Sequence, residues 1–345
     1  MSQTTRMHRL KKYILSNLSI LFISIFLPLF SIASVIFLIK LATYTAIIQL
    51  SIWEMSKLYF FILPEILFYT LPVTFFVAAA LSLFKLSNEN EIVVIFSLGI
   101  HPKFILRTLL IPAALLCGLL FFNFLVLFPH TTVLSSNFLS YKKSEAQFNL
   151  SASEFGHSFG EWLLYLGKKN EDGTFGDVFL FNKNKKEEIL IGANTAEVIN
   201  DSGILRLKLT DGEGYSYSKK TFSQINFKTM YINDTMKTDL TKYRTPLDYW
   251  LSNERKESKK YMLITDTLLS LFPLISLFLV ASIGIVHMRH QKARIYLYLF
   301  LGILIYYGAT LLLQKAFGYY TIPLVAFSWL ILTYILYRRT IVARF

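Results

Sequence analysis

Six stretches of this chain are long and apolar enough to cross a lipid bilayer, and they constrain the fold before any other feature is weighed. Crossing the hydrocarbon core takes about 20 apolar residues. Segments at roughly 14–39, 58–84, 104–128, 262–286, 294–314 and 319–337 meet that length. Between the third and fourth lies a polar stretch, 129–261, that has no means of satisfying its backbone groups in lipid. The expected fold class is a polytopic α-helical membrane protein with three transmembrane helices, an inserted domain and three more. The expected domains are 1–128 with a cytosolic helix at about 87–100, the insert 129–261, and 262–345. A mean hydropathy of +0.48 agrees with this class.

Orientation follows from the bases in short loops. Arg6, Arg9, Lys11 and Lys12 precede the first apolar run; that run is too long for a signal-peptide core and no small-residue cleavage site follows, so it is expected to remain as a span. Lys85, Lys103 and Arg107 flank the second connection, Arg289, Lys292 and Arg294 the fourth, and Arg338, Arg339 and Arg344 the C-terminal end. With six spans these regions share one side, the cytosolic one, which puts both termini in the cytosol and 129–261 outside. The net charge of +13 does not indicate nucleic acid, because the bases sit at span ends and over the insert rather than in one stripe.

The insert is expected to be β. Short, partly alternating runs occur at 162–167, 177–182, 187–191, 195–199, 204–210, 214–218 and 221–232, with turn residues such as Asp172-Gly173 and Asp211-Gly212 between them. Many short strands at close spacing predict a β-sandwich or jelly roll. Val178, Leu180, Leu205 and Leu207 are candidate inward-facing residues, lining either a core or an apolar trough. The stretch 131–147 is expected to continue the third span outward as a helix, and 244–260 to be a helical connector.

Catalytic motifs are absent: there is no GxxxxGK[ST], GxSxG or HExxH. His287 and His290 form an HxxH inside a basic loop without nearby acid or thiol ligands, which makes a metal site the weaker reading. The single cysteine, Cys117, excludes a disulfide framework. Two roles fit Lys40 at the outer end of the first span: an interfacial lysine, or a cation for an anionic lipid headgroup. Glu65 and Asp266 are read as interfacial acids. Pro28, Pro72, Pro112, Pro273 and Pro323 mark sites where spans can kink. The short connection Ser87–Ile100, SNENEIVVIFSLGI, carries more apolar residues than a linker needs. It is expected to form a cytosolic helix whose face of Ile92, Ile95, Phe96 and Gly99 enters a groove on a partner, with Glu91 at its start.

The segment from Asn90-Glu91 through the apolar run to Leu98-Gly99-Ile100 resembles the coupling helix of the LptF/LptG permease family of lipopolysaccharide exporters. Leu63-Pro64-Glu65-Ile66, Leu71-Pro72, Phe84-Lys85-Leu86, Asp177-Val178-Phe179-Leu180 and the 222–231 strand are similar to LptF more than to LptG. The resemblance implies an LptF-like permease of the bacterial inner membrane. It implies pairing with an LptG-like permease, an LptB-like ATPase dimer beneath, and a periplasmic bridge of LptC- and LptA-like proteins. The outer domain would be a periplasmic β-jellyroll, and lipopolysaccharide the cargo. ATP and Mg would be bound by the partner ATPase, with no cofactor in this chain. Asn90, Glu91, Ile92, Ile95, Phe96 and Gly99 would couple to the ATPase, and Lys40 would lie near the lipid cavity. An LptG-like subunit is the alternative within the family. A membrane sensor or scaffold, and a lipid-modifying enzyme, are the alternatives outside it.

Overall fold

The computed structural model describes residues 3–45, 50–148, 155–159, 162–170, 173–183, 187–201, 204–218, 221–233, 245–251, 256–285 and 294–343. Two compact units emerge: one of residues 1–40, 59–132 and 243–345, the other of 41–58 and 133–242.

The first unit is helical. Its long apolar helices are α1 (Gln3–Thr45), α2 (Ile52–Asn88) and α4 (Pro102–Phe122), with the short α3 (Glu91–Ser97) between the last two. After α4 a π-helical turn at Asn123–Leu127 leads into α5 (Phe128–Phe148), so helix continues past the third span as expected. Pro246–Leu251 forms α6. Next come α7 (Lys256–Ile275) and α8 (Leu277–Gly284), bent 47° at their junction, and then α9 (Ile295–Phe317) and α10 (Thr321–Tyr337). The bend has a local cause. Pro273 supplies no N–H to the helix ladder, and the Trp329 indole donates to Ser276 Oγ at 2.9 Å, fixing the break.

Four helical stretches are long and apolar enough to span a membrane, and the bent α7–α8 pair makes a fifth. The stretch Ile295–Val342 is not one rod. Tyr306 and Trp329 stack with ring centroids 5.1 Å apart, whereas a straight helix would separate them by about 35 Å. Thr321 Oγ1 also reaches back to the Leu313 carbonyl at 3.1 Å. The chain reverses at Gly318, whose φ of +55° favours glycine. Counting α9 and α10 separately, the described helices supply six apolar segments. The Tyr59 hydroxyl donates to Ser34 Oγ at 2.9 Å near one end of α1, and Tyr13 near the other end meets Glu91 just past α2. These contacts make α1 and α2 antiparallel neighbours.

Aromatic stacking fills the centre of the bundle. Phe272 lies between Phe76 and Tyr306, with centroids at 5.1 and 4.7 Å. The Tyr306 hydroxyl is satisfied by the Leu268 carbonyl at 2.6 Å. Small residues allow close approach elsewhere. A Cβ on Gly284 would sit 2.6 Å from Leu83 Cβ and 2.7 Å from the Ala80 carbonyl oxygen, so α8 meets α2 almost backbone to backbone.

The second unit holds one antiparallel sheet: β1 (Phe155–Phe159), β2 (Trp162–Lys169), β3 (Phe175–Lys183), β4 (Glu187–Asp201), β5 (Ile204–Ser218) and β6 (Thr221–Asn233). The strands pair in sequence order, a meander, and the crossed order of a jelly roll is not seen among the described residues. The β insert is therefore present, but with fewer and longer strands than the runs suggested. The runs at 187–191 and 195–199 are one strand, as are 204–210 and 214–218.

The reason is a crease across the sheet. Gly167, Asp177, Asn194 and Asp211 fall in one unpaired row, with φ of +54° at Asp177 and +50° at Asp211. Alternation changes phase there. Val178 and Phe175 are both buried, as are Ala193 and Ala196, at spacings of three instead of two. Asp211, which reads as a turn, and Asp177 instead bend long strands without ending them, a way for a sheet to turn a corner.

Candidate functional site

The connection between α2 and α4 forms one short helix. Asn90 enters it with φ of +60° and Gly99 leaves it at +78°, both left-handed conformations that Asn and Gly tolerate. A seven-residue helix does not hold itself together in water, so it must dock on something. It docks on its own bundle: Ile92 and Ile95 are buried and Phe96 packs partly against the same core. Each such burial is worth about 1.5–3 kcal/mol.

The side chains expected to enter a partner groove are mostly covered in this chain. Ile92, Ile95 and Phe96 point inward, and the apolar residues left exposed are Val93, Val94 and Leu98, with Ser97 beside them. Positions 93, 94, 97 and 98 form the opposite stripe of the same helix. Asn90 and Gly99 are exposed at its two ends. Glu91, half-buried at the first turn, accepts hydrogen bonds from the Tyr13 hydroxyl at 2.9 Å (Oε1) and 2.7 Å (Oε2). Nothing in the sequence near Glu91 pointed to Tyr13, which lies 78 positions away.

Lys40 is exposed near the far end of α1, its Nζ 5.8 Å from the Phe37 ring centroid, and its charge acts on Glu65 of α2. Glu65 is half-buried and interacts electrostatically with Asp266 of α7. Asp266 is only 3% exposed. The face of α7 carrying Asp266, Leu269 and Phe272 turns into the bundle, so an interfacial acid at this position would still be covered by its neighbouring helices. A carboxyl placed there is costly unless a partner or cavity compensates.

On the sheet, Val178, Leu180 and Leu207 are fully buried on one face. They share it with Leu164, Leu166 and Ile191 across the register. Leu205 lies on β5, with its side chain outside the described residues, as are His287 and His290. The opposite face is also apolar and exposed at Leu163, Phe179, Leu190, Tyr217 and Phe222, a feature that sequence alternation had not separated from the core. Among the described residues no group of three or more acids, thiols and imidazoles could hold a metal ion.

Long apolar helices, a β insert and a short helix between the second and third spans define a polytopic membrane protein. The sequence model described as lipopolysaccharide export system permease LptF/LptG matches residues 12–337, nearly the whole chain. This protein belongs to the LptF/LptG permease family, and it is a membrane transporter subunit for lipopolysaccharide export. Comparison with curated proteins finds no match.

Proposed function

We propose that the chain is the LptF-like subunit of an ATP-driven lipopolysaccharide exporter in the bacterial inner membrane, paired with an LptG-like permease. The observation that carries this reading is α3, with its inner face anchored to the bundle and its outer face of Val93, Val94 and Leu98 uncovered among the described residues. Lipopolysaccharide is an anionic amphiphile with several acyl chains. Withdrawing each methylene from the membrane costs about 0.8 kcal/mol, so extraction needs an energy source. With no nucleotide motif in the sequence, that source is an LptB-like ATPase dimer that binds Mg and ATP and grips α3. LptC- and LptA-like proteins would receive the lipid from the β domain.

Lys40 serves in this reading as a cation for a phosphate of the lipid, with Glu65 of α2 near enough to feel its charge. Proteoliposomes holding the chain with its permease and ATPase partners should release lipopolysaccharide to a periplasmic acceptor only when ATP is present. Lys40→Glu should slow that release severalfold while Lys40→Arg preserves most of it, since the sign of charge matters more than shape. ATP-independent release, or full activity of Lys40→Glu, would count against the respective parts of the proposal.

The inward face of the sheet is the proposed lipid track. Because Val178, Leu180 and Leu207 are buried in the resting chain, lipid reaches them only if the sheet edge parts. A photo-crosslinker at Leu180 should capture lipopolysaccharide during turnover, and one at the exposed Phe179 should not. The reverse pattern would move the track to the outer face.

The proposed orientation places both termini and α3 in the cytosol and the sheet in the periplasm. The native Cys117 is buried and gives little background. With Ser223→Cys, an impermeant maleimide should label intact spheroplasts; with Ser97→Cys, it should label only after lysis. The opposite result would invert the topology.

A further inference from the structure

The first turns of α4, the α7–α8 bend and the last turns of α10 enclose a groove of about 790 Å³. That is far more than a packed interior leaves empty, and it lies within the size range of small-molecule sites. Its floor and walls are apolar, with Leu106, Leu110, Phe278 and Leu330 among them. Leu110 and Leu330 are 49% and 39% exposed, so the groove opens sideways towards lipid rather than into the bundle.

Among the described residues its lining carries three cations, Lys103, Arg107 and Arg338, and no carboxylate. Like charges brought together by two separate helices repel one another, and an anion between them removes that cost. A second, independent observation lies in the same lining. Tyr337 is 2% exposed and its hydroxyl has no hydrogen-bond partner among the described residues. A buried polar group left in that condition calls for an explanation.

We infer that this groove is a binding site for one anionic glycerophospholipid, with its phosphate held by Lys103, Arg107 and Arg338, one of its two acyl chains lying along Leu106, Leu110, Phe278 and Leu330, and the other left in the bilayer. The Tyr337 hydroxyl supplies a further donor near the headgroup end. A net positive cluster selects an anionic headgroup over a zwitterionic one. The cargo lipid is a poor fit, since its several acyl chains exceed the groove. The groove also lies at the opposite end of the bundle from Lys40, because α1 and α2 run antiparallel and α4 begins beside the end of α2. The bound phospholipid would brace the α7–α8 bend against α4 and α10. The inference rests on the membrane class of the protein and not on its transport cycle.

The test uses the full-length chain, purified in detergent and stripped of lipid, with native mass spectrometry and thermal unfolding as readouts. Dioleoylphosphatidylglycerol should bind as a single adduct and raise the apparent Tm, at least tenfold more effectively than dioleoylphosphatidylcholine. The Arg107→Gln/Arg338→Gln variant should lose that preference. Leu110→Trp, which fills the groove and leaves the charges, should weaken binding to a similar degree. Variants must elute as the wild type does; if the double variant misfolds, Leu110→Trp decides alone. Equal binding of both lipids, unchanged binding by Leu110→Trp, protection by inorganic phosphate alone, or lipopolysaccharide as the retained adduct would each overturn the inference. None of these outcomes depends on transport activity.

Discussion

Glu91→Lys should lower association with the partner ATPase at least tenfold and abolish ATP-dependent lipid release, while insertion and yield stay unchanged. A carboxylate that becomes buried and paired across an interface costs about 2–5 kcal/mol when it is lost, and about 1.4 kcal/mol is a factor of ten. Two milder variants separate charge from position. Glu91→Gln can still accept from Tyr13 but carries no charge, so it should resemble the lysine variant in direction. Tyr13→Phe keeps the charge and removes the hydroxyl that holds it at 2.7–2.9 Å. One hydrogen bond contributes about 0.5–1.5 kcal/mol net, so its effect should be roughly two- to tenfold. The exposed stripe of α3 makes a further demand on the same pull-down assay. Val94→Asp/Leu98→Asp should block association outright, because both side chains are exposed in the free chain and would meet an apolar groove with charge. Wild-type association by that double variant would remove α3 from the interface.

Gly284→Ala should be the most damaging single-methyl change in the bundle. Its new Cβ would lie 2.6 Å from Leu83 Cβ and 2.7 Å from a backbone oxygen, neither of which is the end of a flexible side chain. The same glycine's carbonyl accepts from Ser87 Oγ at 3.0 Å, so a shift of α8 also breaks that bond. Overpacking typically costs about 1–3 kcal/mol, and backbone contact places this case at the upper end. A clear drop in apparent Tm and in the monodisperse fraction on size-exclusion chromatography is expected. Gly118→Ala is the control, with nothing within 4 Å of its Cβ position, and should be neutral or slightly stabilising. Equal behaviour of the two variants would mean that α8 does not pack on α2 in the membrane as described.

Much of the fold was legible because its signals are local. Span length, the polar interruption at 129–261 and the base-rich loop ends are properties of contiguous residues. Sheet alternation was legible only up to the crease. Asp211-Gly212 has the composition of a turn, and only the register with β4 and β6 shows that the strand passes through it. The α9–α10 reversal was legible too, since 294–314 and 319–337 read as separate spans, and the positive φ of Gly318 and the contact of Tyr306 with Trp329 show how it is made.

The short helix between the second and third spans was legible in the sequence, but which face it leaves exposed was not. Ile92, Val93, Val94, Ile95, Phe96 and Leu98 are apolar almost all the way round the helix, so no polar stripe marks the solvent side. The choice was made by shape: Ile92 and Ile95 fit the bundle, which leaves Val93, Val94 and Leu98 outside. The same reasoning applies to Asp266, whose depth depends on how α7 is rotated, and to Tyr13, whose partner is brought to it by the antiparallel return of α2. Sequence alone determined the membrane class, the β insert and the position of the short helix between the second and third spans, because hydrophobic transfer acts on each residue where it stands. Tertiary structure alone decided which sides of those elements are free to bind, because that depends on surfaces from distant parts of the chain meeting one another.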